Sequence, residues 1–481
     1  MTTSRMVSDA DRNWRRFVLF RVLFNSRFYY PVLAVLFLDL GLSATEYTLL
    51  NFAWALAIVF TDLPAGVLAD RIGRKPLVVA AASCMVAEMV LLGVAPRRGG
   101  ILLFLCCMAN RVLSGMAEGM ASGADEALVF DSLAERGRSD EWPMVLDQVM
   151  RWQGVGMIIA MLVGGAIYDP VFMGRLFFAF GVTKHFDQGV TLRFPIYLNL
   201  ITAVVTLWIA LGLREPGTRI LHAVPENQDS LGPETTAWRL VVTAGTWIVR
   251  TPAALFVIAA GVLIDSVARL FLTFSSSYFR IIELPEATFG LIGAAMGGLG
   301  WIVSPVARSM VASNSIIRNY AFLGVAVLAG LIGVACRWTH WGVIFLLPLA
   351  GAMMALGFIV SYYLNALVDS THRATVLSFK GVAFNLVYGF ISLVFALVLR
   401  AVRDGGSTQD AVARGLAFLP LWLVLGSFIC VICFRPQRRL LSVIPTAMGS
   451  KSNEISNHSS NEAVPQTRRD VGGIRVLGLH G

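Results

Sequence analysis

The 481-residue chain is 56% hydrophobic and only 14% charged, with a mean hydropathy of +0.70. A soluble domain carries roughly 25% charged residues, so a water-soluble globule is excluded, and apolar runs of about 20 residues point to a polytopic helical membrane protein. The net charge of +9 sits in particular loops, which indicates membrane topology and not nucleic acid as its cause.

In chain order, the polar start with Arg5, Arg12, Arg15 and Arg16 runs into an apolar segment without a small-residue cleavage site, so that segment is expected to stay as the first membrane helix. Twelve spans are expected: residues 17–38, 47–67, 76–95, 101–122, 148–167 and 194–213, then 253–278, 289–306, 319–336, 342–364, 376–399 and 415–434. The chain therefore divides into an N-terminal segment (1–16), a six-helix half (17–213), a polar central loop (214–252), a second six-helix half (253–434) and a Ser- and Asn-rich tail (435–481) expected to be disordered. The end of the central loop, from Trp238 to Ile248, carries a short amphipathic pattern. Six cysteines (Cys84, Cys106, Cys107, Cys336, Cys430, Cys433) lie in or beside apolar runs. The Cys430/Cys433 pair has no second pair to complete a metal site, so packing roles are expected. No phosphate loop, zinc spacing or locally supported nucleophile–base pair occurs, which argues against direct ATP drive and enzyme chemistry, and no cofactor or metal is expected.

Between the second and third spans lies Gly66-Val67-Leu68-Ala69-Asp70-Arg71-Ile72-Gly73-Arg74-Lys75-Pro76. Such a charged connector must sit in water, and its three cations assign that face to the cytoplasm. With both termini inside, cytoplasmic segments hold about 24 Lys plus Arg against about 10 on the other face; Arg97, Arg98, Arg400, Arg403 and Arg414 run against the rule. The stretch reads G-x-x-x-D-R-x-G-R-K without a mismatch and resembles the loop between the second and third helices of major facilitator superfamily transporters. The resemblance implies an all-α membrane fold of twelve helices in two pseudo-symmetric halves, rocking about a central site in a bacterial cytoplasmic membrane. It further implies the lipid bilayer, a small-molecule substrate and protons as partners, and function as a monomer. In the turn, Gly66 and Gly73 permit close approach, and Asp70 is expected to accept from Arg71 or Arg74 or to lie at a helix N-terminus.

The fourth span carries Asn110-Arg111-Val112-Leu113-Ser114-Gly115-Met116-Ala117-Glu118-Gly119. An arginine at bilayer depth costs about 2.5–3.5 kcal/mol, so it should face a protein or watery interior. Arg111, Gly115 and Glu118 share a face, and R-x-x-x-G resembles the superfamily's fourth-helix motif, whose arginine is associated with proton coupling in exporters. An internal Arg–Glu pair that only fixes packing is the alternative. The fifth span has Gly154, Gly156, Ala160, Gly164 and Gly165, and the eighth has Gly290, Gly293, Gly297, Gly298 and Gly300, small residues that let helices approach closely. In the superfamily these helices meet across the halves. Drug–proton antiporters usually place Gly-Pro ahead of Gly-Gly in the fifth helix; here Ala160-Met161 stands instead, which departs from the exporter pattern.

After the fourth span, Ser122-Gly123-Ala124-Asp125-Glu126-Ala127-Leu128-Val129-Phe130-Asp131 resembles an S-G-x-D-E-A-L-x-x-D segment of one bacterial branch. Asp125, Glu126 and Asp131 share a membrane face with Arg71, Arg74 and Lys75, so an ionic latch of the gate is expected; a solvated acidic cap worth about 0–1 kcal/mol per pair is the alternative. Glu88, in the third span, has no partner in its own helix and needs one from a neighbour or a raised pKa. Glu88, Glu118 and Asp62, with Arg111, are the proton-coupling candidates. Arg21 is expected to snorkel, and Asp265 and Arg269 to neutralise each other along one helix. As the resemblance implies, the first, fourth, seventh and tenth helices line the cavity. Asn25, Tyr29, Tyr30, Phe271, Phe274, Tyr362, Tyr363 and Asn365, with Asp265, Arg269 and Lys380, are therefore substrate candidates, a set that suits an amphiphilic organic compound. Export is the favoured direction; uptake of a small nutrient and a transport-dead sensor are the alternatives.

Overall fold

The computed structural model describes residues 2–97, 99–183, 185–215, 242–243, 245–368, 373–402 and 407–437, without the side chains of 2–11, Leu63, Val67, Asp70 and 373–375. Most of the central loop and of the tail therefore lies outside the described residues, as does the start of the amphipathic pattern; residues 245–250 are helical.

Among the described residues all regular structure is helical, and eleven helices are long and apolar enough to cross a membrane singly. The first half comprises α1 (Thr2–Asn25), α2 (Leu33–Leu40), α3 (Ala44–Ile72), α4 (Arg74–Val94), α5 (Ile101–Ala121), α6 (Ala124–Ala134), α7 (Trp142–Tyr168), α8 (Pro170–Ala179), α9 (Gln188–Thr191) and α10 (Phe194–Gly212). The second half comprises α11 (Pro252–Thr273), α12 (Ser275–Ile281), α13 (Ala287–Gly298), α14 (Gly300–Ser313), α15 (Ile316–Ala335), α16 (Leu346–Leu367), α17 (Arg373–Ala401), α18 (Thr408–Leu416) and α19 (Leu419–Phe434).

The first crossing is not the continuous helix expected over 17–38. It breaks between α1 and α2, with Pro31 inside a single 3-10 turn, Tyr30–Val32. Proline cannot donate to the preceding turn, and a break in the membrane survives only where freed backbone groups find other partners. They do: Phe28 N donates to Asn199 Oδ1 at 3.1 Å, and Ala34 N and Val35 N donate to Ser276 Oγ at 3.0 and 3.3 Å. Counting α1 and α2 as one crossing gives the expected twelve. The seventh crossing is likewise split between α11 and α12, and the eighth between α13 and α14.

Within the first half α3 packs on α5, α4 on α5 and α10, and α1 on α7 and α10; in the second, α11 packs on α16, α17 and α19. Gly115 of the R-x-x-x-G motif is the point of close approach between α5 and α3, since a Cβ there would lie 2.6 Å from Trp54 O and 2.7 Å from Ala57 Cβ. The halves meet along α3–α17 and α7–α13. On the second seam Gly165 abuts Gly290, where a Cβ would sit 2.6 Å from the partner's nitrogen. Further along the same two helices, Gly154, Gly297 and Gly298 have nothing within 4 Å of a built Cβ.

Candidate functional site

The break in the first crossing places Arg27 in the interior. Its guanidinium pairs with Glu88 of α4, both side chains being at most 2% exposed, and lies over the Phe24 ring at 5.3 Å. A buried pair holds only if its remaining lone pairs and protons are met. Asn110 of α5 donates to Glu88 O at 2.8 Å, whereas Glu88 Oε2 has no hydrogen-bond partner among the described residues. The partner Glu88 requires is therefore a cation from the first crossing, and Arg27 is a site residue that is absent from the candidates read in the sequence. The signal that could have found it was Pro31, four residues on, which breaks the helix and frees the arginine to turn inwards.

Glu118 behaves differently. It stands on α5, half-buried, in the wall of a cavity of about 380 Å³ with Phe24, Asn25, Arg27, Tyr30, Met150 and Gln153, and makes no hydrogen bond or ion pair with the described residues. Arg111, on the same helix face, does not pair with it. Arg111 Nη2 reaches Asn51 Oδ1 at 3.4 Å, and its guanidinium lies over Trp54 at 5.3 Å. Trp54 meets Tyr388 edge-on across the two halves, and Arg269 lies over Tyr388 at 5.2 Å. Two arginines thus bracket an aromatic pair at the α3–α17 seam, an arrangement favoured by ring quadrupoles. Arg269 is held by Asp265 at 2.7 Å, as expected, and also donates to Asn385 at 3.0 Å. Trp54, Asn385 and Tyr388 were missed because an apolar helix with one aromatic or amide residue carries no pattern pointing across the bundle.

Of the substrate candidates, Asn25 and Tyr30 line the cavity. Tyr29, Phe271, Phe274 and Tyr363 do not: they are buried in the core, where Phe274 meets Tyr47 edge-on and Tyr363 accepts from Asn319 at 2.7 Å. Interior aromatics are held there by ring packing. Tyr362 is 39% exposed and stacks on Phe358, Asn365 bonds back to Ser361 of its own helix, and Lys380 is half-buried on α17. Asp62 is half-buried near Ser122.

At the basic turn Arg74 pairs with Asp131 and donates to Ala127 O at 2.6 Å, joining α4 to α6. Asp125 and Glu126 are met not by the turn but by Arg21 of α1, at 2.6 and 2.5 Å, so Arg21 is an ion-pair partner and not a snorkelling side chain. The acid at the N-terminus of α4 is Glu215, which accepts from Arg74 N at 2.8 Å and Lys75 N at 2.6 Å; Gly73, at φ +98°, turns the chain beneath it. A carboxylate there meets the helix dipole and two free amides. Asp70 lies outside the described side chains. Gly66 has open space around it, and Arg71 is exposed.

The opposite end holds a cluster with no counterpart in the sequence reading. Asp39 of α2 receives both Nη groups of Arg280 of α12, at 2.6 and 2.5 Å, and Tyr168 OH donates to Asp39 at 2.6 Å. Arg280 also pairs with Glu286, whose carboxyl burial raises above the usual range while Arg280 opposes that shift. Asp169 accepts from Ala287 N at 3.1 Å, and Tyr47 OH donates to Thr273 O at 3.0 Å. Of these, Asp39–Arg280, Asp169–Ala287 and Tyr47–Thr273 cross between the halves, whereas Tyr168–Asp39 and Arg280–Glu286 each stay within one.

An all-helical membrane protein of two six-helix halves, with ionisable groups gathered about a cavity between crossings, is the class that this architecture defines. The sequence model of the Major Facilitator Superfamily matches residues 17–397, and the chain belongs to that superfamily. It is a membrane transporter and not an enzyme. It is 22% identical to the efflux pump azaK of Aspergillus niger (strain ATCC 1015) over 394 residues, 77% of this chain and 74% of that one. Among solved structures it resembles the nucleoside transporter NupG (TM-score 0.67, 13% identity, 88% of this chain and 98% of that one). It also resembles a bacterial homologue of the human lysosomal transporter Spinster in an inward-facing, unoccupied conformation (0.62, 14%, 89% and 97%). The D-xylose–proton symporter is a third (0.56, 14%, 86% and 97%). At these identities the structural likeness speaks for the fold alone.

Proposed function

We propose that the protein is a proton-coupled secondary transporter of the cytoplasmic membrane, both termini inside, which exports an amphiphilic small molecule by alternating access and works as a monomer. The observation that carries this reading is Glu118, an unpaired carboxyl in the wall of a cavity that is otherwise Phe24, Tyr30, Met150 and Met157 with a few polar groups. Flexible methionines and aromatic rings suit varied apolar bodies, and a cavity-facing carboxyl can exchange its proton with water. Glu88, sealed against Arg27, is the positioning partner: it neutralises the arginine at the helix break. Resemblance to an efflux pump supports export. The missing Gly-Pro of the fifth crossing favours a second reading, proton-coupled uptake of a small nutrient. In either direction the Asp39–Arg280 cluster is the gate at the outer end, closed in this conformation.

A metabolite and drug-sensitivity comparison of a deletion strain with its parent identifies the cargo, and its direction in inverted vesicles separates export from uptake. In proteoliposomes, Glu118→Gln is expected to abolish accumulation driven by a pH gradient while keeping substrate counterflow. Accumulation that survives an uncoupler, or an unchanged Glu118→Gln variant, would sink proton coupling through this residue.

A further inference from the structure

One cavity among the described residues lies off the central path. It is a groove of about 600 Å³ on the outside of the second half, walled by α15 (Ile317, Tyr320, Gly324, Leu328) and α19 (Leu423, Ser427, Cys430, Phe434) and floored by Phe256, Ala260, Leu263 and Ile264 of α11. Its rim is exposed and apolar, with Val325, Val424 and Val431 between 47% and 68% open, so this flank faces hydrocarbon in a membrane. On α15 the lining runs from Ile317 to Leu328 and on α19 from Leu423 to Phe434, which at 1.5 Å per residue is about 17 Å on each wall. A hydrocarbon core of about 30 Å makes that one leaflet.

Charge marks only one end. Arg435, at the C-terminus of α19, closes the groove at the membrane face that carries the basic turn, and Arg318 stands exposed at the start of α15 on that same face. Arg438 and Arg439 follow in the sequence. No acidic residue is among the described residues that line the groove. A slot one leaflet deep, apolar along its length and cationic at headgroup level, matches one kind of molecule: a phospholipid with an anionic headgroup.

We propose that this groove is a binding site for one acyl chain of an anionic phospholipid of the basic-face leaflet, its phosphate held by Arg435. The site is separate from the transport cavity and does not depend on which cargo is carried.

Native mass spectrometry of the full-length protein released from detergent micelles tests it, with phosphatidylglycerol and phosphatidylcholine as probes. One phosphatidylglycerol adduct is expected to persist at a collision energy that strips phosphatidylcholine. Arg435→Gln is expected to lower that adduct at least threefold without changing phosphatidylcholine binding. Gly324 has nothing within 4 Å of a built Cβ, so Gly324→Trp fills the groove from its open side and is expected to remove the adduct. Thermal unfolding of each variant checks that it folds, and Arg435→Gln, at an exposed position, carries the test if Gly324→Trp does not. Equal retention of both lipids, or retention untouched by Arg435→Gln, overturns the proposal. A dimer that Gly324→Trp dissociates overturns it too, by showing a second copy as the occupant.

Discussion

The two membrane ends of this transporter use ion pairs in opposite ways. At the basic turn Arg74–Asp131, Arg21–Asp125 and Glu215 at the start of α4 all join helices of one half. At the other end Asp39–Arg280 joins one half to the other. When two halves rock as rigid bodies, a pair inside one half keeps its length and a pair between halves cannot. On the proposed alternating access, the basic turn acts as a strut that holds α4, α6 and the end of α10 in register, and the cross-half cluster as the contact that breaks on opening.

The largest expected effect follows from that difference. Arg280→Asp, which sets a carboxylate against those of Asp39 and Glu286, should raise labelling of a Tyr30→Cys variant by an impermeant thiol reagent added at the outer face by at least tenfold. Adding Asp39→Arg to restore the pair should return labelling towards the parent, and labelling that Arg280→Asp leaves unchanged would remove the cluster from the gate. Next, Arg74→Ala should lower the thermal midpoint by a few degrees, in line with loss of a partly buried charged pair worth about 1–3 kcal/mol, and leave that labelling unaltered. Equal changes in labelling from Arg74→Ala and Arg280→Asp would erase the distinction between strut and gate.

Smaller still, Glu215→Ala removes the acceptor of two α4 amides and should cost about 0.5–1 kcal/mol in thermal unfolding. The least effect concerns pH. The Glu286 carboxyl sits above its ordinary value through burial, so the native state binds this proton more tightly than the unfolded chain. Its contribution to stability is present at low pH and declines as pH rises from the ordinary Glu range through the raised value. Glu286→Gln should flatten the thermal midpoint over that window; a profile identical to the parent's would place its titration elsewhere.

Much of the fold was legible because a membrane imposes it. Apolar runs of bilayer length must be helices, and the turn at Gly66–Pro76 marked both the family and one face. Glu88's need for a neighbour was legible too, since a lone carboxylate in an apolar helix cannot stand unpaired. The identity of that neighbour was not: Arg27, Trp54, Tyr388 and Arg280 lie far in sequence from what they touch, and no helical spacing links them. Glu215 stood visibly beside Pro216 at the end of the sixth crossing, yet only the closure of the first half brings it over α4.

By itself the sequence determined the solvent, the helix count, the basic face and the superfamily, because hydrophobic length and charge placement act locally along the chain. The tertiary structure alone decided which carboxylate is sealed and which faces the cavity, and which ion pairs stay within a half or cross between halves. Those properties arise from contacts between helices, and burial and pairing exist only once the helices are packed.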